Sequence, residues 1–356
     1  MSTGPLRPAR GGADRRARGT TIRDIADALG ISHSTVSRAL GGHPMISDAT
    51  RASVARTARR LGYVASAPAR SMRGALSPLV GYVIPDIQND FYASVAKRVA
   101  DALAPHGLQM VLSVTEDDPE RERRDVRALI EARASAVIVT PSPAPHAETL
   151  RMLARTHAVQ LVRRIEPLHA DAVTVDDAAG TRAATAHLVQ CGHRRIAYVG
   201  APVSTSSGRA RLAGFEAALA DAGLPPGPTV LGAPRPESGR IAVERLLGDA
   251  PRPTALVLGS SELTLGALLA LQAAGVAVPD ALSVVGYGDP TWFSLVDDGI
   301  TTVHLPVDEV ADAATALVLD GLRAASAAPA ATRAPARPTI RPRLTVRGST
   351  RPPGPH

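Results

Sequence analysis

The 356-residue chain holds one cysteine, Cys191, so an internal disulfide is impossible and a thiolate metal site lacks its ligand set. Cys191 reads as structural. No apolar run approaches the roughly 18 residues that a bilayer demands. The N-terminal stretch MSTGPLRPARGGADRRARG is positively charged but has no hydrophobic segment after it. A cytoplasmic protein, neither secreted nor membrane-bound, is therefore expected. Also missing are G-x-S-x-G, H-E-x-x-H, a Walker loop and a dinucleotide fingerprint. The doublets Asp117/Asp118, Asp176/Asp177 and Asp297/Asp298 are adjacent residues whose side chains diverge too far for acid–base work, and helix capping or solvated loops account for them. No catalytic residue, metal or cofactor is expected.

What the chain does have is a lopsided charge. Residues 1–77 carry 13 Arg, no Lys and four acids (Asp14, Asp24, Asp27 and Asp48), a net +9, against +7 for the whole chain. The remaining 279 residues therefore sum to −2. A basic head on a nearly neutral body points to a polyanion partner for the head alone, because Arg gains from releasing counterions at phosphates. Residues 1–18 are expected to be a disordered basic arm, for which a solvated tail is an equal reading.

From Thr21 the Gly/Pro/Arg-rich texture gives way to helical periodicity. Thr21 and Asp24 form a capping-box start, and Ile22, Ile25, Ala26 and Leu29 fall at i, i+3, i+4 and i+7, one apolar face of a two-turn helix that Gly30 ends. Ser32 caps a second helix in which Val36, Ala39 and Leu40 face inward. Ser34, Ser37 and Arg38 then face outward, with His33 at the N-terminal end. Ser47 caps a third helix to about Leu61, with Arg51, Arg56, Arg59 and Arg60 largely outward. Two short helices about a Gly-containing turn, the second with small polar residues and an Arg in front, fit a B-DNA major groove. Arg38 suits a bidentate contact to guanine, with His33 and Ser34 on neighbouring base edges. Thr21, Ser32, Thr35 and Ser37 suit phosphates.

The string TIRDIADALGISHSTVSRAL resembles the head of the LacI family of transcriptional regulators, T-I-x-D-V-A-x-x-A-G-V-S-x-x-T-V-S-R-x-L-N. The likeness runs on through Ile46, Ser47, Thr50 and Arg51 (V-S-x-x-T-R) and through Leu61, Gly62 and Tyr63 (L-G-Y). It adds Ile22, Ser47, Thr50 and Tyr63 to the expected DNA-contacting set. SAPARSMRG, residues 66–74, stands where the family reads N-x-x-A-R-S-L-R. From the residues alone it is a linker with one helical turn. The resemblance implies a hinge helix that forms on DNA, with Ala69 inside it, Met72 as the apolar wedge in the minor groove and Arg73 beside it in a narrow groove. Met72 replaces Leu, Gly41 replaces Asn, and Ser66 replaces the hinge Asn.

Beyond Leu79, β-rich runs (LVGYVI, LQMVLSV, AVIVT, VQLV, RIAYVG, TALVLG, LSVVGY) alternate with helical stretches. Doubly wound α/β units with parallel sheets are expected, with a ligand crevice beyond the strand ends at Ile84, Thr140, Gly200, Gly259 and Tyr287. The resemblance continues through VIPDIQNDFYASV, GHRRIAYVG, RARLAGFEAAL, SVVGYGD and IRPRLTVRGST. It implies a two-lobed, periplasmic-binding-protein-like core with chain crossovers near 176, 302 and 327. Expected domains are a helix-turn-helix unit at 19–65, a hinge at 66–77, the core at 78–350 and a disordered tail at 351–356. Residues 324–356 show no Leu heptad, so a homodimer is expected, on pseudo-palindromic operator DNA.

By position, the resemblance places Asn89, Phe91, Tyr92 and Arg211 in an effector site. Phe91 and Tyr92 read equally as core, and Arg211 also as a structural ion pair. The family's Asn-Asp pair falls on Ser260 and Ser261, its late Asp on Gly288 with Asp289 one step on, and an aromatic on Pro234. Trp292 and Phe293 either line the cleft or simply pack. A hexose needs several carboxylate and amide contacts to repay desolvation, so the expected small-molecule effector is a sugar or sugar derivative, or a different ligand that is larger or less polar, unless the response to any ligand is weakened. The rival readings, a secreted solute-binding protein and a sugar- or nucleotide-acting enzyme, lack a signal peptide and a catalytic motif respectively.

Overall fold

The computed structural model describes residues 20–41, 43–63, 77–326 and 334–354. The chain divides into two units, Met1–Ser77 and Pro78–His356.

In the first unit the helices are Ile22–Leu29 (α1), His33–Leu40 (α2) and Asp48–Arg60 (α3). Thr21 and Asp24 make the reciprocal capping box, Ser32 accepts from Thr35 N, and Ser47 accepts from Thr50 N. Gly30, at φ 64°, ends α1 in the left-handed region that its missing Cβ opens. Ile25, Ala26, Val36, Ala39, Val54 and Ala58 form the buried centre. Arg51 departs from the outward reading. It donates to the carbonyls of His43 and Ile46 and to Asp48, clamping the loop between α2 and α3.

The second unit has two lobes. The first contains Leu79–Ile84 (β1), Asp90–Leu103 (α4), Gln109–Val114 (β2), Pro119–Glu131 (α5), Ala136–Val139 (β3), Ala147–Ala154 (α6), Ala158–Val162 (β4) and Asp171–Val175 (β5). The second contains Asp177–Gln190 (α7), Ile196–Gly200 (β6), Ser206–Asp221 (α8), Thr229–Leu231 (β7), Pro236–Gly248 (α9), Ala255–Leu258 (β8), Ser261–Ala273 (α10), Ser283–Tyr287 (β9) and Thr301–His304 (β10). Val307–Ser326 (α11) and Thr339–Ile340 (β11) return to the first lobe, and Arg343–Thr345 (β12) to the second. Among the described residues the sheet orders are β11-β5-β4-β3-β1-β2 and β12-β10-β9-β8-β6-β7, parallel throughout except for β12. Most strands are buried along their length because helices cover both faces, which is why they read as continuous apolar runs rather than alternations.

The lobes are joined at Val175–Asp177, His304–Val307 and Ile340–Arg343. The third crossover therefore lies past residue 340 rather than near 327. The chain first pairs β11 with β5, where Thr174 N and Asp176 N donate to the carbonyls of Pro338 and Ile340. A Cβ at Gly180 would stand 2.8 Å from both Pro342 and Val303, so glycine lets α7 sit directly against the third crossover and the end of β10. Arg351 corrects the expected disordered tail. Its N–H donates to Ser283, its carbonyl accepts from His193, and its side chain pairs with Asp280.

Candidate functional site

The surface of α2 is polar in front and apolar behind. His33, Ser34 and Arg38 are exposed, Thr35 and Ser37 half-buried, and Val36 and Ala39 buried. Arg38 has no ion-pair partner among the described residues. Small side chains flanking one long, free guanidinium give a helix face that enters a groove without clashing. Thr21, Ser32 and Ser47 cap the three helices and keep their hydroxyls at exposed N-termini, where unpaired N–H groups and the helix dipole favour phosphate. Thr50 is half-buried with its hydroxyl 2.9 Å from that of Ser47. Ile22 and Tyr63 are half-buried against the core of the three helices. Ser66, Ala69, Met72 and Arg73, like the arm at 1–18, lie outside the described residues.

The second unit encloses a cleft of about 780 Å³ between its lobes. Its wall is made of residues that follow strands: Pro85 after β1, Glu116 and Asp117 after β2, Arg163 after β4, Ala201 after β6, Ser260 after β8 and Gly288 after β9. That is where parallel sheets leave strand carboxyl ends and helix N-termini facing one space. The loop after Thr140 sits behind this wall, and its Pro141 carbonyl accepts from Arg163 Nη1 at 3.3 Å. Glu116, Asp117 and Val162, all lining the cleft, have φ of 53°, 60° and 64°. For a β-branched valine that is a strained backbone, held by an Arg163 N to Leu161 O bond of 2.6 Å. The tight turn aims Arg163 inward.

Each lobe contributes a buried arginine neutralised by an aspartate. Arg163 engages Asp117 through both terminal nitrogens, the Nη2–Oδ2 bond being 3.1 Å. Arg211 donates from Nε to Asp177 Oδ1 at 2.8 Å and from Nη1 to the Gly259 carbonyl at 2.6 Å. Its guanidinium carbon lies 3.8 Å from the Tyr287 ring centroid, and the Tyr287 hydroxyl donates to the same Asp177 oxygen. Burial, and then Asp177, pushes the Tyr287 hydroxyl well above its ordinary pKa. Burial raises that of Tyr92 as well, against the opposing pull of Arg163. Neither phenol acts as an acid here, and that of Tyr287 serves as a hydrogen-bond donor to Asp177.

Asn89, Phe91, Tyr92, Arg211, Ser260 and Ser261 all line the cleft, as does Pro234. Asn89 caps α4 by accepting from Phe91 N at 3.1 Å, and Ser260 caps α10 by accepting from Leu263 N at 3.2 Å. Phe91 and Tyr92 meet edge to face with centroids 5.5 Å apart. Arg211 is ion-paired and cleft-lining at once, which unites its two readings.

Asp289 is not brought into the cleft. Arg347 holds its carboxylate in a two-pronged pair at 2.7 and 2.8 Å, with His304 at 3.2 Å, so the one-residue step along the loop turns it away. Phe293 is fully buried beneath Gly286, and Trp292 stacks on it edge to face; neither lines the cleft. The acidic doublets split their roles. Asp118 and Asp176 cap α5 and α7, while Asp117 and Asp177 pair with the two arginines. Asp297 and Asp298 are exposed. The sequence reading missed Arg163 and Asp117, which sit 46 residues apart and meet only in the fold.

A small helical head with a basic, groove-sized helix, followed by two α/β lobes around a cleft, is the architecture of a DNA-binding regulator that carries its own ligand sensor. The family model described as "Bacterial regulatory proteins, lacI family" matches residues 21–66, and that described as "Periplasmic binding protein-like domain" matches residues 185–350. The transcriptional regulator GalS of Salmonella typhimurium is 31% identical over 304 residues, covering 85% of this chain and 89% of that one. In fold, the chain is similar to the Lac repressor dimer bound to operator and an anti-inducer, with a TM-score of 0.80 at 23% identity over 94% of this chain and 100% of that one. It is also similar to the transcriptional regulator CelR in complex with cellobiose, with a TM-score of 0.68 at 28% identity over 93% of this chain and 100% of that one.

The chain belongs to the LacI family of bacterial transcriptional regulators. It is a DNA-binding regulator with an effector-binding core and is not an enzyme. Among the described residues no helix is long and apolar enough to cross a membrane, and no His/Cys/Asp/Glu cluster could hold a metal ion.

Proposed function

We propose that the chain is a cytoplasmic homodimeric repressor that reads a pseudo-palindromic operator and is released from it, or fixed on it, by a small molecule in the cleft. The exposed front of α2 is the observation that carries the DNA side of this reading. Arg38 makes the bidentate guanine contact, His33 and Ser34 touch flanking base edges, and Thr21, Ser32, Thr35, Ser37, Ser47 and Thr50 hold phosphates. Ile22 and Tyr63 support those contacts from the rim of the head's core. For the hinge, the family pattern supports Ala69, Met72 and Arg73 as DNA contacts, with Met72 as the wedge between base steps and Arg73 in the narrow groove. The domain limits expected from the sequence (19–65, 66–77 and 78–350) belong to the same proposal.

Dimerisation is supported by apolar side chains left exposed on the core: Leu265 and Leu269 on α10, Ile241 on α9, and Val111 and Leu112 on edge strand β2. A second copy covering them removes that area from water. Ligand binding then alters lobe closure and the spacing of two hinge segments, an allosteric coupling between cleft and head. With serines where relatives carry Asn-Asp, the cleft suits a ligand other than a free hexose, a sugar derivative among them. Genome-wide footprinting tests the whole reading: discrete two-fold sites are expected, and uniform, sequence-independent protection would refute it. Titration of the protein against common hexoses should show no micromolar affinity.

A further inference from the structure

Which charges lining the cleft are already cancelled determines what kind of ligand fits. Arg163 is neutralised by Asp117 and Arg211 by Asp177. On the rim, Arg235 of the second lobe lies 4.0 Å from Glu116 of the first, which also binds Arg121 at 2.9 Å. Glu237 is held by Arg240 at 2.6 Å. Two lining carboxylates remain, Asp86 from the first lobe and Glu262 from the second. Neither has a cationic partner among the described residues, and Asp86 only accepts from Gln88 N at 2.8 Å. Asp90, beside Asp86 at the start of α4, adds a third negative charge to this corner. Burial chiefly, and then the negative charges of Asp86 and Asp90, pushes the Glu262 carboxyl above the usual carboxylate range, so its charged form has neither full hydration nor a counter-ion.

A second observation points to what else the ligand carries. The Arg163 side chain is 7% exposed and lines the cleft, yet its Nε–H has no hydrogen-bond partner. A buried donor of this kind is costly unless an acceptor meets it. Because Asp117 already balances the charge, a neutral oxygen suffices. Phe91 and Tyr92 add aromatic surface.

We propose that the effector is an amine-bearing polyol of the amino-sugar class, its ammonium seated between Asp86 of one lobe and Glu262 of the other and a neutral oxygen accepting from Arg163. The ammonium replaces a repulsion between lobes with two charge-assisted hydrogen bonds, so ligand charge and lobe closure are the same event. Simple anions, phosphorylated sugars and uronic acids included, meet an uncompensated negative wall and two arginines whose charge is already balanced by Asp117 and Asp177. This proposal rests on the cleft being the effector site.

The test is calorimetric titration of the full-length protein with matched probes: glucosamine and its β-1,4-linked dimer, their N-acetylated forms, glucose, cellobiose and glucuronate. Each amine is expected to bind about tenfold tighter or more than its neutral counterpart, the advantage of a charged over a neutral hydrogen bond. The preference should collapse in Asp86→Asn and in Glu262→Gln, near-isosteric changes on different lobes. N-acetylation removes the charge in the parent protein, so the comparison does not depend on either variant folding. Equal or tighter binding of a neutral or anionic probe, no amine binding at millimolar concentration, or a preference undiminished in both variants would overturn the proposal. Operator release followed with the same probes separates the two readings. Release by a neutral or anionic probe leaves the regulator intact and removes only the amine, whereas absence of operator binding removes the regulator reading itself.

Discussion

Asp177 Oδ1 receives Arg211 Nε at 2.8 Å, and the two side chains are 2% and 12% exposed. The pair fixes the second lobe's wall of the cleft, with Tyr287 donating to the same oxygen. Asp177→Ala strands a buried guanidinium, for which about 3–5 kcal/mol of lost stability is expected. Tyr287→Phe removes one donor and leaves the ion pair, at a cost of about 1–3 kcal/mol. Chemical denaturation of the two variants should rank them in that order, and a reversed order would mean that Arg211 is neutralised by another group.

Arg38→Ala should cost about 1–3 kcal/mol of operator affinity and relax preference at one or two base pairs per half-site. Selection from randomised half-sites reads this directly. A uniform loss across all sequences would place Arg38 on phosphate instead.

Met72→Ala should weaken operator binding with little change in non-specific affinity, because the wedge acts only where the duplex is kinked. Gel mobility of circularly permuted operator fragments measures the bend. An unaltered bend and affinity would eliminate the wedge.

Acidification should loosen the core. His193 is 1% exposed, bonded to Thr254 and to the Arg351 carbonyl at 2.9 Å each, and burial lowers its pKa below the usual 6.5. The unfolded chain therefore takes up this proton first, and stability is lost as pH falls through 6.5 toward the depressed folded value. Burial lowers His187 in the same direction. Thermal melting between about pH 7 and pH 5 should show the decline, and His193→Gln should flatten it.

Gly266→Ala should damage sensing and stability together. A Cβ there overlaps the Pro236 carbonyl at the start of α9, where Pro236 and Glu237 line the cleft. Overpacking of this kind costs about 1–3 kcal/mol. A variant with unchanged melting and effector response would show that α9 and α10 can separate freely.

The head was almost wholly legible because its signals are local. Thr21 and Asp24, Ser32 and Thr35, and Ser47 and Thr50 are each three residues apart and cap the helix that they begin. The strands of the core were legible as apolar runs, but β11 and the third crossover were not, since Ala336 to Ile340 pair with β5 only after more than 160 residues of chain. The cleft divided along the same line. Asn89, Phe91, Tyr92 and Arg211 could be placed by position in the family pattern, whereas the Arg163–Asp117 pair depends on a γ-like turn at Val162 that no valine signals. Asp289 failed because its direction was set by Arg347, 58 residues away.

The two edge strands β11 and β12 have a consequence for synthesis on the ribosome. Residues 339–345 supply the final strand of both sheets. The DNA-reading segment at 20–63 is thus translated long before either lobe can be finished. Until residue 345 emerges, β5 and β10 each present an unpaired backbone to other nascent chains. A premature stop between α11 and residue 339 does not trim a tail; it releases a complete head attached to two open sheets.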